Sequence, residues 1–275
     1  MSKGNRLRAA RRAGKQCIFC GDLVGSGEHI LPDWLKHSKT VDHTAVNHTQ
    51  SQTLIRAVPI APDAVVLTTD LDEQRHGGPA TKRKEPVVCA PCNNGWMSKL
   101  ENKAKPILLP IVDDEPQELD EDAQRTVARW ADKMAMVYET TNPASAVTTQ
   151  EDRLRVMSEA QPRPALRTQV WIGRTEQSPQ VVGPRHRYVQ MLCGTGETEK
   201  VRLDVVVVGY VCLVVTGSQR RAYDPADVVT DHLSDRLVRI WPITHSPVHW
   251  PPPATMTADD IEAALESIRD MQVRF

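Results

Sequence analysis

Two C-x-x-C pairs, Cys17-Ile18-Phe19-Cys20 and Cys89-Ala90-Pro91-Cys92, stand in one chain with 68 residues between Cys20 and Cys89. Two residues between cysteines let both sulfurs reach one ion from a tight knuckle, and two such knuckles complete a tetrahedral thiolate set. Cys17, Cys20, Cys89 and Cys92 are therefore expected to hold a structural zinc ion, which obliges the segments on either side of a long insertion to fold together. Four thiolates leave no open position for water or substrate, so this ion is a staple and not a reaction centre. A redox role would need a thioredoxin-like βαβ setting, and neither pair has one. Cys193 and Cys212 lie in strand-like apolar runs, where cysteine packs as a small core residue.

The chain has 275 residues, 40% of them hydrophobic, enough to bury a core as one large domain or two of ordinary size. Disorder as the main state is excluded. Residues 1–110 carry 16 Lys and Arg against 10 Asp and Glu, leaving 18 against 25 for the rest. A basic front joined to an acidic rear is expected when one part alone meets a polyanion. No apolar run follows the Arg-rich start as a signal peptide would require, and Val205 to Gly217 is too short to cross a bilayer. A cytoplasmic, reducing location without membrane contact is expected, which suits metal-bound cysteines.

The organisation is read as four parts. Residues 1–16 form a basic arm, 17–110 a zinc-bound domain, 111–144 a connecting helix, and 145–275 an α+β domain whose role the sequence does not disclose. After Leu35 come about 50 residues with little periodicity, holding His37, His43, His48 and His76, which read as an insertion or long loop. Trp96, Leu100, Ala104 and Ile107 recur at helical spacing from Asn93 to about Leu108, and Pro106 and Pro110 mark the end. A second helix is expected between Asp120 and Thr141, closed by Pro143. Thr168–Ile172, His186–Cys193, Lys200–Val208, Tyr210–Thr216 and Arg236–Trp241 read as strands of a mostly antiparallel sheet. A final helix is expected from Thr257.

After the first cysteine pair comes Glu28-His29-Ile30-Leu31-Pro32, and directly after the second comes Asn93-Asn94-Gly95-Trp96. This pattern, C-x-x-C, then Glu-His-Ile-x-Pro, then C-x-x-C-Asn, resembles the HNH (ββα-metal) endonucleases built on a treble-clef zinc site. The matching residues lie in Cys17–Leu35 and Val87–Glu101, roughly an eighth of the chain. The resemblance implies an N-terminal treble-clef nuclease module in an α+β protein, with Glu28 and Asn93 as ligands of a catalytic Mg²⁺ or Mn²⁺ and His29 as general base. The chemistry agrees, because phosphodiester hydrolysis needs a base to activate water and a hard cation among oxygen ligands. Two departures stand out. The family has an Asn shortly before the second knuckle, where this chain reads Lys82-Arg83-Lys84-Glu85-Pro86, and the link between the motif halves is long.

The expected function is a divalent-metal-dependent DNA endonuclease. Its partner is nucleic acid, held by phosphate contacts from Arg6, Arg8, Arg11, Arg12 and Lys15 of the arm and from Lys82, Arg83 and Lys84. The alternative is a zinc-binding nucleic-acid or protein interaction module that has lost catalysis. The rear domain is where a protein partner or a second copy would dock. Trp34, Trp96 and Leu100 are expected in the core, and Glu101 in a salt bridge or a supporting role.

Overall fold

The computed structural model describes residues 9–10, 13–41, 47–61, 64–77, 80–141, 146–192, 198–219, 233 and 235–266. Strand β1 (Ser26–His29) pairs antiparallel with a later strand (Lys84–Val88), with Glu28 opposite Glu85 and His29 opposite Lys84. Between them the chain forms a 3-10 turn (Asp33–His37) and two long strands, β2 (Asn47–Ala61) and β3 (Ala64–Gly77). The strand Lys84–Val88 is thus β4. Residues read from sequence as an insertion or long loop are a paired ribbon, with β2 antiparallel to β3 from Asn47↔Gly77 to Pro59↔Val65 and, after a register shift, Ala61↔Ala64. Stretches such as Gln50-Ser51-Gln52-Thr53 lack the apolar alternation that marks a half-buried strand, so backbone pairing, which composition does not report, defines this element.

Helix α1 (Ser98–Val112) follows a helical turn (Ala90–Cys92) and a wide π-type turn (Asn93–Met97), in which Gly95 takes the non-helical angles φ −91°, ψ −111°. Pro106 and Pro110 do not end α1 but lie inside it. An interior proline costs about 3 kcal/mol. The buried face of Leu100, Ala104, Leu108, Ile111 and Val112 offsets that cost by leaving water.

Helix α2 (Glu121–Glu139) starts where the sequence places it, with Asp120 Oδ1 accepting from the Ala123 amide at 2.8 Å. Its C-terminal half is buried on every side, including Arg129, Asp132, Lys133 and Glu139. Helix α3 (Gln150–Met157), which the periodicity does not reveal, is started by a Thr149/Asp152 capping box.

Strands β6 (Thr168–Leu192) and β7 (Thr198–Ser218) pair antiparallel along their lengths, each absorbing two of the expected short strands. The short β5 (Gln117–Leu119) precedes α2 in the chain. Gly209 bends β7 with φ +58°, and a Cβ there would fall 2.4 Å from the Val112 carbonyl oxygen and 2.6 Å from Thr40 Oγ1. Only glycine accepts both the left-handed backbone and that approach. Strand β6 also pairs with β8 (Val238–Trp241), antiparallel, and in parallel with β10 (Thr255–Met256) and β2, giving a six-stranded sheet. Strand β9 (Val248–Trp250) pairs with β5, and α4 (Ala258–Glu266) closes the described chain.

The architecture is α+β, as expected, with one contiguous apolar cluster running from Cys17 and Phe19 through α1 and α2 to β6, β7 and β8. Cys212 is buried on β7, its thiol pushed up to about 12 by that burial. Cys193 and Pro143 lie outside the described residues. Among those described, no helix is long and apolar enough to cross a membrane.

Candidate functional site

The first cysteine pair is shaped by a tight turn in which the Cys17 amide donates to the Asp22 carbonyl at 2.6 Å and the Gly21 amide to the Cys17 carbonyl at 3.0 Å. Gly21 sits at φ +83°, a conformation that costs glycine nothing. The second pair begins the helical turn Ala90–Cys92, where Cys89 Sγ accepts from the Cys92 amide at 3.3 Å. The Ile18 amide donates to the Val87 carbonyl at 3.0 Å and holds the two turns together. One sulfur from each of Cys17, Cys20, Cys89 and Cys92 lies within 4.8 Å of every other. That set is compatible with one metal ion such as zinc. Burial pushes the Cys20 thiol up to about 11 and the Cys92 thiol higher still. Metal uptake therefore releases protons.

Beside this cluster lies a cleft of about 280 Å³, lined by Glu28, His29, Asp33, Trp34, Lys84, Asn93, Asn94 and Glu101 among others. The two strands supply Glu28, His29 and Lys84, and the π-type turn supplies Asn93. The three residues singled out from the sequence thus share one cavity. His29 is half-buried, whereas Glu28 is only 6% exposed. Asn93 donates from Nδ2 to Ser26 Oγ at 2.6 Å, which fixes its amide against β1 and leaves its oxygen as the atom available to a ligand. The Asp33 carboxyl is held below its ordinary value by a hydrogen bond from Lys36, then by the charges of Lys36, His29 and Lys84.

The cleft has a charged floor that the sequence does not announce. Lys133, from α2, donates to Glu28 Oε1 at 2.8 Å and to Glu101 Oε1 at 2.7 Å, with its side chain 3% exposed. Glu101 is also held by the indole N–H of Trp130 at 2.8 Å and by that of Trp34. Trp34, expected in the core, packs partly buried against the apolar cluster and also serves as a donor. Burial opposes the charge on Lys133, but Glu101 and Glu28 outweigh it and hold the ammonium protonated well above the ordinary lysine range. Burial likewise works to raise Glu101, yet the charge and hydrogen bond of Lys133 and the two indoles bring it below the usual carboxylate value.

The depressed value has a direct consequence. A carboxyl whose folded-state pKa lies below its unfolded value near 4.3 stabilises the fold above that pH, and this contribution disappears as pH falls through the folded value. Glu101→Gln is therefore expected to give a shallower loss of stability on acidification below about pH 4.3, measured by urea unfolding from pH 6 to pH 3. Equal pH slopes for both proteins would contradict the assignment.

The basic residues expected on phosphates fare unevenly. Lys15 and Lys82 are exposed and Lys84 lines the cleft. Arg83 is turned inward, its side chain 9% exposed and paired with Glu85 at 2.8 Å, so it is not presented to a ligand. Arg6, Arg8, Arg11 and Arg12 lie outside the described residues. Comparisons with protein-family models, with curated proteins and with solved structures give no match to this chain, so any functional reading rests on the residues of the cleft.

Proposed function

We propose that the cleft is the active site of an HNH-type, divalent-metal-dependent DNA endonuclease stapled by zinc at the four cysteines. The observation that carries this reading is the meeting of Glu28, His29 and Asn93 in one cavity beside the cysteine cluster, framed by β1, β4 and the turn leading into α1. This strand–strand–helix arrangement is what a treble-clef ββα-metal module requires.

The donor set fits a hard cation. With Glu28 Oε1 committed to Lys133 and Asn93 Nδ2 committed to Ser26, one carboxylate oxygen and one amide oxygen remain to hold Mg²⁺ or Mn²⁺. When bound, such an ion supplies charge stabilisation to the phosphate and the departing 3′ oxygen. His29 takes the proton from the attacking water at a ring nitrogen, and Asp33, Lys84 and the rest of the lining set its electrostatic surroundings. Lys84 at the mouth, with Lys15 and Lys82 exposed, provides phosphate contacts without sequence information.

His29→Ala is expected to lower plasmid nicking in Mg²⁺ or Mn²⁺ by about 100-fold or more, with zinc content and nucleic-acid binding near wild type, because a general base acts in the transition state. Glu28→Ala and Asn93→Ala are expected to recover part of their activity at high Mn²⁺, and His29→Ala to recover none. Wild-type protein that cleaves no duplex, branched or single-stranded substrate would defeat the proposal.

A second reading, a zinc-stapled interaction module without catalysis, is favoured by one observation. Glu28 is already neutralised in part by a buried lysine.

A further inference from the structure

We infer that Lys133 is a positioning residue for Glu28 and the built-in cation that keeps the cleft's hold on a divalent ion weak until a phosphate arrives. The inference rests on the nuclease reading above and deepens it.

Three observations lead there. First, Lys133 reaches Glu28 Oε1 and Glu101 Oε1 at once, from a helix separated from Glu28 by 105 positions in sequence. Its ammonium is anchored on both sides and is not a solvated neighbour. Second, Glu101 cannot swing away to bind an ion itself, since Trp34 and Trp130 donate to its two oxygens while Lys133 takes a second bond on one of them. Glu101 is thereby a fixed counter-charge for Lys133. Third, Glu28 lines the cleft although it is almost fully buried, and the bond to Lys133 leaves it one oxygen for a ligand.

The charge balance follows. Glu28, Glu101 and Lys133 leave a single net negative charge beneath the cleft, the lining Asp33 and Lys84 are of opposite sign, and Asn93 adds only a neutral amide. A divalent ion meeting that set in the absence of nucleic acid is poorly compensated and stands within a few ångströms of a fixed positive charge. A phosphate of the substrate brings the missing negative charge. Ion and nucleic acid are thus taken up together, and free protein holds the ion weakly. Lys133 also leaves Glu28 a single oxygen with which it would hold an ion, and such an ion would keep positions for water and phosphate.

The test uses the full chain with its zinc in place and Mn²⁺ as the probe, its affinity measured by electron paramagnetic resonance without nucleic acid. Lys133→Met alone would leave two buried carboxylates without a cation and could unfold the protein. The paired variant E101Q/K133M removes one charge of each sign, and K133R retains the cation. E101Q/K133M is expected to bind Mn²⁺ at least about tenfold more tightly than wild type although its net charge is unchanged, since of the two charges removed the positive one is bonded directly to Glu28, while the carboxylate removed lies on the far side of that ammonium. K133R is expected to stay within a few-fold of wild type, and adding E28Q to the paired variant to abolish the gain.

Unchanged Mn²⁺ affinity in folded E101Q/K133M would overturn the inference, as would a gain that survives E28Q. The nuclease reading fails separately. If the Glu28-dependent gain appears but no substrate is cut, Lys133 keeps its role at a cation site that is not a nuclease.

Discussion

Cys89→Ser is expected to release the metal and abolish cooperative folding of the segment around the two cysteine pairs. In zinc-finger peptides a structural zinc contributes apparent free energies of about 10–16 kcal/mol at neutral pH, comparable with the whole stability of a typical domain. Cys89 is a demanding position for this test. Its sulfur also accepts from the Cys92 amide and stands 3.4 Å from Cys20 Sγ, so it organises the second turn as well as supplying a ligand. The cleft is expected to be lost with the cysteine cluster, because β1 and β4 carry Glu28, His29 and Lys84 directly beside the two turns that hold the four cysteines. Elemental analysis of freshly purified protein should give one zinc per chain for wild type and none for the variant. Metal-free wild-type protein with an unchanged unfolding transition would remove the basis of the expectation.

The second large effect lies far from the cleft. Arg202 on β7 is fully buried, donates from Nη2 to Asp132, and has Glu139 and Asp204 at 4.0 and 3.9 Å. Asp204 in turn meets His186 Nδ1 at 2.7 Å. Burial works against the guanidinium, but the three carboxylates outweigh it and raise its value. Burial, the largest effect on each, raises Asp132 and Glu139 despite Arg202. Arg202→Leu would leave those carboxylates without their cation, and breaking a buried pair in this way costs about 3–5 kcal/mol. Arg202 holds both carboxyls down, so without it they are expected to rise further, and protonation then favours the folded variant more than the folded wild type. The deficit of Arg202→Leu should therefore shrink as pH falls from 7 towards 5 in urea titrations. A loss under 1 kcal/mol at pH 7 would mean that the network is wet or rearranged, since exposed pairs contribute about that much or less.

What the sequence disclosed and what it hid divide along one physical line. The meeting of the four cysteines, and of Glu28, His29 and Asn93 in one cleft, was legible because short spacings place these residues and the turns that shape them are local, as the Cys17–Asp22 and Cys89–Cys92 hydrogen bonds show. The place of α2 was legible from its apolar stripe, and the Asp120 cap that starts it is equally local. Lys133 and Glu139 were not legible. On a helix with one apolar stripe, charged positions read as the wet face, yet α2 is enclosed and those positions find partners such as Glu28 and Arg202 from distant parts of the chain. The β2–β3 ribbon was missed because its definition lies in pairing with β6, and Pro106 and Pro110 misled because burial of α1 outweighed a local rule.

The ion pair between Glu28 and Lys133 also sets an order of events during synthesis. At translation rates of roughly 5–20 residues per second, the 105 positions between the two correspond to roughly 5 to 20 s. For nearly all of that interval the nascent chain carries the Glu-His motif without Lys133 and without Trp130, the second of the two indoles that hold Glu101. Glu28 must stay hydrated until α2 emerges, and burying it is a late step. A ribosome-bound chain stalled before Lys133 holds every residue that the motif names and lacks the floor on which they are set.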